Sequence, residues 1–341
     1  MLIIACDVTS TPPAQSPSPK AAACRLPVML WTYPNLETQG GFIDTSTGVF
    51  TPDPESVMVF DNASGLMRTP KPPYLYGGPG DSAWATASYD WTRHRWLPVA
   101  SQWISPDASE YAYAVANQGV HLVDVSSGVD NSVSATSTPP TATARFFVAG
   151  YTKSGVYLTQ WGPTGGPGLG LWRLDPASHA ITQAGTDSPG LGVFVGETPL
   201  TSPPTSEFPD AWWTNVSTDF STANDPRVYH QYLSETVGQH GETWFDRPGF
   251  RMNVIGVDTA GRAIVQAQSA GELEVWQLAT PNSATKLYTT TNDGKPGLAF
   301  KTAFADHEGW WIGSRTGVFL ANAGSFTQVS KTPAIVAGPC N

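Results

Sequence analysis

The chain has 341 residues, only 13% of them charged against about 25% in ordinary soluble domains, and a net charge of −10. An acidic balance without any basic stripe repels phosphate backbones and sets nucleic acid aside as a partner. Gly (33) and Pro (30) are abundant while the helix formers Lys, Glu and Leu are scarce, which is the composition of strands and tight turns.

At the start of the chain, residues 3–6 (IIAC) resemble the lipobox of bacterial lipoproteins, in which apolar and small residues precede a Cys that becomes the lipidated N-terminus. A secretory signal has a charged start and an apolar stretch of about 7–15 residues. Only residues 1–5 precede Cys6, so the reading is of a shortened leader with lipidation at Cys6. Residues 7–23 (DVTSTPPAQSPSPKAAA) have no apolar pattern and read as a Pro/Ser/Thr-rich tether. Residues 1–23 are thus expected to be leader and tether, and residues 24–341 one folded domain. No later segment has the ~18 uninterrupted apolar residues of a membrane-spanning helix.

One strand–turn–strand unit then recurs. It reads GGFIDTSTGVF from Gly40, GVHLVDVSSGV from Gly119, LGLWRLDPASHAIT from Leu169, GELEVWQLATPNSATKLYT from Gly271 and GVFLANAGSFTQV from Gly317. Alternating apolar residues form each strand, and small polar residues turn the chain between them. Self-similarity at a period of about 20–50 residues, with β alternation and no helical stretch between copies, predicts a β-propeller. Third strands are expected near Phe42, Ala87, Val120, Leu169, Val228, Leu273 and Val318. An all-β fold of seven four-stranded blades, about 45 residues each, follows. The second and fifth units are the least regular, which leaves six blades as the alternative. The clearest units are the sixth, with strands at 253–258, 262–268, 272–278 and 285–289, and the seventh, at 298–305, 309–314, 318–323 and 326–330.

A ring-shaped fold brings its two ends together. Cys24 and Cys340 bracket the repeats and are therefore expected to form a disulfide, which implies an oxidising compartment.

Two segments carry a family resemblance. Residues 102–114 (QWISPDASEYAYA) resemble the W-S-P-D-G-x-x-I-A-Y strand pair of TolB-type propeller repeats, with Ala108 where the repeat has Gly. Residues 306–319 (DHEGWWIGSRTGVF) resemble the repeat of two-component-regulator propellers. The resemblance implies a propeller of TolB-type or WD-repeat-like class and leaves the function open, because this fold hosts binding, scaffolding and hydrolysis alike.

Enzyme signatures are sparse. The chain has no GxSxG elbow, HExxH helix, Walker loop, CxxC pair or EF-hand loop. Asp246, Asp258, Asp306 and Glu308 are available for glycosidase-type acid–base work, but Asp44, Asp90, Asp124 and Asp175 sit at one repeated strand-end position, which is ordinary turn chemistry. The histidines His94, His121, His179, His230, His240 and His307 are scattered. His230 and His240 flank one expected loop and form a metal pair only if further ligands such as Asp246 converge. They read as surface or hydrogen-bonded residues, and no metal or cofactor is expected.

The fifth unit gains Pro-rich and aromatic-rich inserts between residues 190 and 250. Insertions in repeat folds map to loops on one face, often the binding face. Trp212, Trp213, Tyr229, His230, Tyr232, His240 and Trp244 are the candidate ligand-binding residues, with packing between blades as their other reading. Trp161 with the loop 162–170 is a weaker candidate. The expectation is a monomeric, non-catalytic, extracytoplasmic propeller, anchored to the membrane by lipid at Cys6 or secreted. Its end-face loops would bind a protein, peptide or cell-envelope glycan, and replacing Trp212 and Trp213 would weaken binding more than folding. Two alternatives stand beside it: a glycan-active hydrolase or lyase with carboxylates in the central funnel, and a cytoplasmic WD-repeat-type scaffold with free thiols.

Overall fold

The computed structural model describes residues 23–31, 36–79, 87–115, 119–133, 145–161, 168–185, 194–199, 207–214, 227–232, 241–258, 260–281, 283–291, 300–322 and 325–341. Cys6, His240 and the loop 162–167 lie outside the described residues.

The strands form a seven-bladed β-propeller. Blade six shows the plan. Arg251–Val257, Ala263–Gln268, Glu272–Thr280 and Ser283–Thr291 pair antiparallel in chain order, from the centre of the ring outward. The inner strands are sandwiched between neighbouring blades, so Ala263–Gln268 (AIVQAQ) is buried on both faces. The rim strand Ser283–Thr291 (SATKLYTTT) meets water and is polar. Blade four (Arg145–Thr152, Gly155–Trp161, Gly168–Leu174, Ile181–Gly185) and blade seven (Phe300–Asp306, Gly309–Ser314, Gly317–Asn322, Ser325–Ser330) repeat the plan. Blade five, irregular in sequence, is regular in structure: Phe194–Pro199, Glu207–Thr214, Arg227–Tyr232 and Glu242–Asp246.

Blades two and three depart from it. In blade three, Glu110–Val115, Gly119–Asp124 and Asp130–Val133 pair normally, but the first strand is reduced to a bridge between Ile104 and Tyr111. Blade two is split into a three-stranded sheet (Val59–Asp61, Leu66–Arg68, Tyr76–Pro79) and a hairpin (Ser88–Asp90, Arg95–Leu97). The seven-blade count is confirmed by packing. Each seam between adjacent blades holds its own apolar cluster, from Leu26, Val28, Trp311 and Val318 between blades seven and one to Ile255, Ile264, Trp310 and Ile312 between six and seven.

The ring closes through its termini. Ala334–Val336, at the end of the chain, is the innermost strand of blade one and pairs with Arg25–Trp31, Val28 facing Val336. Leu36–Asp44 and Phe50–Pro52 complete that blade. Cys24 and Cys340 are disulfide-bonded, with a Cα–Cα distance of 5.7 Å across 316 residues of sequence. Polar bonds reinforce the clasp: Arg25 and Asn341 exchange backbone hydrogen bonds, and Asp306 Oδ2 accepts from the Cys340 N–H at 3.1 Å and from Trp311 Nε1 at 2.7 Å. Among the described residues no helix is long and apolar enough to cross a membrane.

The repeated Asp residues make the turns. Asp44 Oδ1 accepts from the N–H groups of Ser46 and Thr47, Asp124 Oδ1 from Ser126 and Ser127, and Asp175 Oδ1 from Ala177 and Ser178. Four residues after the Asp, the chain enters the left-handed region, at Gly48 (φ 72°), Gly128 (φ 74°) and His179 (φ 58°). The TolB-like turn has the same character: Ala108, where Gly is usual, sits at φ 56°.

Breaking the Cys24–Cys340 bridge is expected to lower the melting temperature, with a chain-entropy contribution of up to about 5 kcal/mol for so long a loop and less in many measured cases. Equal melting temperatures for the oxidised chain and a Cys24→Ser, Cys340→Ser variant would mean that strand pairing alone closes the ring.

Candidate functional site

The fifth-blade aromatics are strand residues, and most are core. Trp212 and Trp213 lie on Glu207–Thr214, Tyr229, His230 and Tyr232 on Arg227–Tyr232, and Trp244 on Glu242–Asp246. Strand alternation splits them between two seams. Trp212, His230 and Trp244 face blade six, where the His230 ring lies 4.4 Å from Trp212 and 4.2 Å from Trp244. Trp213 and Tyr229 face blade four and stack at 5.9 Å. Trp212 is 0% and His230 2% exposed, so neither offers a ring face to a ligand. These rings serve as packing between blades, and the expected shared aromatic loop is replaced by two separate seams. Tyr232 ends its strand, and Trp161 ends Gly155–Trp161.

The carboxylates once available for acid–base work have local tasks. Asp258 Oδ1 accepts from the N–H groups of Ala260 and Arg262, and its Oδ2 pairs with Arg262. Asp306 holds the clasp, Glu308 lies 3.3 Å from His307 Nε2, and Asp246 ends the rim strand of blade five. Among the described residues no group of three or more His, Cys, Asp and Glu side chains is placed to hold a metal ion.

Two polar clusters bridge strands or seams. At the seam of blades two and three, Asp130 accepts from Tyr113 Oη at 2.6 Å and lies 2.9 Å from His121 Nδ1, while the Tyr113 and His121 rings stack at 4.6 Å. Burial, and then the bond to Asp130, push the Tyr113 phenol up. Between blades five and six, fully buried Glu274 is bound by Arg247 through Nε and Nη2, both at 2.9 Å, by Lys286 Nζ at 2.6 Å and by Trp276 Nε1 at 2.8 Å. Burial alone would raise this carboxyl. The hydrogen bonds from Arg247, Lys286 and Trp276 outweigh it and hold the pKa at about 2.

A surface that sequence reading missed lies at the seam of blades one and two, beside the clasp. The Phe42 ring is its floor. The Arg25 guanidinium lies 4.1 Å from the ring centroid, Tyr89 4.9 Å, Trp91 5.6 Å and Trp96 6.0 Å. Tyr89 and Trp91 meet edge-to-face at 4.8 Å and 78°, forming a corner of two half-buried rings. Trp91 is pinned to the clasp by Nε1 donating to the Pro339 carbonyl at 2.9 Å, and the Tyr89 N–H donates to the Ala337 carbonyl at 2.8 Å. Neither the Arg25 guanidinium nor the Tyr89 hydroxyl has a hydrogen-bond or ion-pair partner among the described residues. The S-Y-D-W run at residues 88–91 was the available signal, but it lies in the unit whose repeat is least legible.

No family model and no curated protein matches this chain. Solved structures similar to it share the fold alone. TolB from Acinetobacter baumannii is 12% identical with a TM-score of 0.43, over 93% of this chain and 67% of that one. The Dos1 propeller is 11% identical with a TM-score of 0.46, over 94% of this chain and 88% of that one. One of two prolyl endopeptidases is 14% identical with a TM-score of 0.43, over 75% of this chain but only 37% of that one, so this chain spans little more than a third of its length.

Two outcomes follow from these placements. Trp212→Ala is expected to cost about 3–5 kcal/mol of stability, as for other buried aromatics; an unchanged denaturant midpoint would return Trp212 to the surface. For Glu274, the folded pKa of about 2 lies below the ordinary 4.5. The stability it contributes is therefore present above about pH 4.5 and lost as pH falls toward 2. Glu274→Gln should melt lower at neutral pH and show a shallower decline over that acid range; parallel pH profiles would exclude this carboxylate as their source.

Proposed function

We propose that this protein is a non-catalytic, extracytoplasmic binding module: a monomeric propeller carried on the tether of residues 7–23, with Cys6 as its lipid anchor. The observation that carries the reading is the corner of Tyr89 and Trp91 over Phe42, with Arg25 and the Tyr89 hydroxyl unspent. Half-buried aromatic rings with polar edges suit recognition, since they supply contact area at low conformational cost. The disulfide supports an oxidising compartment. The ligand classes are those a cell envelope presents: a protein, a peptide or a glycan. The contact surface proposed is the seam beside the clasp, in place of fifth-blade loops.

A thermal-shift screen of the oxidised chain against glycans, peptidoglycan fragments and peptides tests this. A ligand at 100 times its Kd adds about 2.7 kcal/mol, a readily measured shift in midpoint. The expected result is a shift that Trp91→Ala abolishes and Trp161→Ala leaves in place. Turnover of the bound ligand would overturn the reading in favour of a hydrolase or lyase, and a shift indifferent to Trp91 would move the site elsewhere.

A further inference from the structure

We infer that the corner at the seam of blades one and two takes a carboxylate carried on a sugar ring, that is, an acidic glycan. This inference rests on the binding-module reading and names the ligand of the same site.

The argument begins with Arg25. A guanidinium lying flat on an aromatic ring is held in one plane, and its fork of N–H groups points away from the ring. The central carbon of the Arg25 guanidinium lies over the Phe42 ring, 4.1 Å from its centroid. The guanidinium's natural partner would be an acid, and four surround the corner: Asp44 stands opposite Arg25 in the strand pair, and the charges of Asp53, Glu55 and Asp90 act on Tyr89. Each has a partner of its own, and Asp44 Oδ1 accepts from the N–H groups of Ser46 and Thr47. Asp53 accepts from the Glu55 N–H and from Trp96 Nε1, both at 3.0 Å. Glu55 pairs with Lys71 Nζ at 2.5 Å. Asp90 accepts from the N–H groups of Thr92 and Arg93 and from Arg93 Nη1 at 3.1 Å. Among the described residues none pairs with the Arg25 guanidinium.

Tyr89 adds a second donor. Burial, then the charge of Asp53, raise its phenol, so it keeps its proton at neutral pH and offers an O–H. Two donors beside the same ring, neither bonded to a described residue, call for a ligand that brings acceptor oxygens. The charge of Arg25 selects a carboxylate. The Tyr89–Trp91 corner selects what carries it. Both rings are partly exposed, and an aromatic surface with polar edges suits the C–H face of a saturated sugar ring. A peptide end would also bring a carboxylate, and the test below sets it against the sugar. The overall charge of −10 opposes the approach of an acidic ligand from a distance. Recognition therefore rests on contact at the corner rather than on steering.

The test titrates three probes into the full oxidised chain by calorimetry: a glucuronic acid tetrasaccharide, its neutral glucose counterpart, and a tetrapeptide with a free C-terminal carboxylate. The acidic sugar is expected to bind about tenfold or more tighter than the neutral one, the worth of one charge-assisted pair. Arg25→Gln should erase that preference. Tyr89→Phe keeps the ring and removes only the hydroxyl, so it should weaken both sugars by a similar few-fold factor. Arg25 is exposed, and melting curves of both variants control for folding. Equal binding of the two sugars, binding of the peptide alone, indifference to Arg25→Gln, or no binding of any probe would each overturn the inference. Photo-crosslinking from position 91 on intact cells separates the two readings. A captured protein partner with no affinity for acidic sugars leaves the binding module standing and removes the glycan.

Discussion

A ring of blades depends on its last seam. Five of the seven blades gain both neighbours from the order of the chain, whereas blades seven and one meet only by closure, and blade one takes its inner strand from Ala334–Val336 at the far end of the sequence. That pairing brings residue 336 beside residue 28 and creates the seam of Leu26, Val28, Trp311 and Val318. The entropy of closing so long a loop must be met where few strand bonds are available. The disulfide, the exchanged Arg25–Asn341 bonds and the Asp306 carboxylate all act at this one place. Asp306 looked like a candidate acid by type and strand-end position; its partners make it a fastener.

The double-sided burial of the inner strands has a second consequence. A strand between two blades cannot turn a polar face to water, so a charge buried in a seam needs protein partners. Glu274 finds them in four hydrogen bonds. The bridging rings of blade five, Trp212 with His230 and Trp244, fill the wide space between blades with apolar area instead.

The fold was legible because its signal is repetition. The Gly-opened hairpins at Gly119, Gly271 and Gly317 read directly as strands Gly119–Asp124, Glu272–Thr280 and Gly317–Asn322, and the strand-end Asp residues read directly as turns. The cysteine pair was legible for the same reason, since a ring implies that its ends meet. The aromatic residues of blade five were misplaced because an irregular stretch of sequence was equated with irregular structure. The chain around Trp212 has unusual spacing, yet its strand pairs in full register with both neighbours. Composition alone does not distinguish a Trp that binds a ligand from one that fills a seam; the face of the strand decides, and that depends on register.

The departure from regularity that does matter lies in blade two. Its strands are split into a sheet and a separate hairpin. The hairpin is tied to the clasp by Tyr89 and Trp91, through Ala337 and Pro339. Phe42, itself buried, packs under Arg25 and the partly buried rings of Tyr89 and Trp91. The same irregularity that hides this unit from repeat analysis leaves polar valences unspent at the surface. Those valences sit beside the most heavily fastened part of the ring, where the aromatic corner is held by the clasp itself. A binding surface needs that combination of rigid support and unsatisfied chemistry, and in this propeller the closure provides the first while the broken blade provides the second.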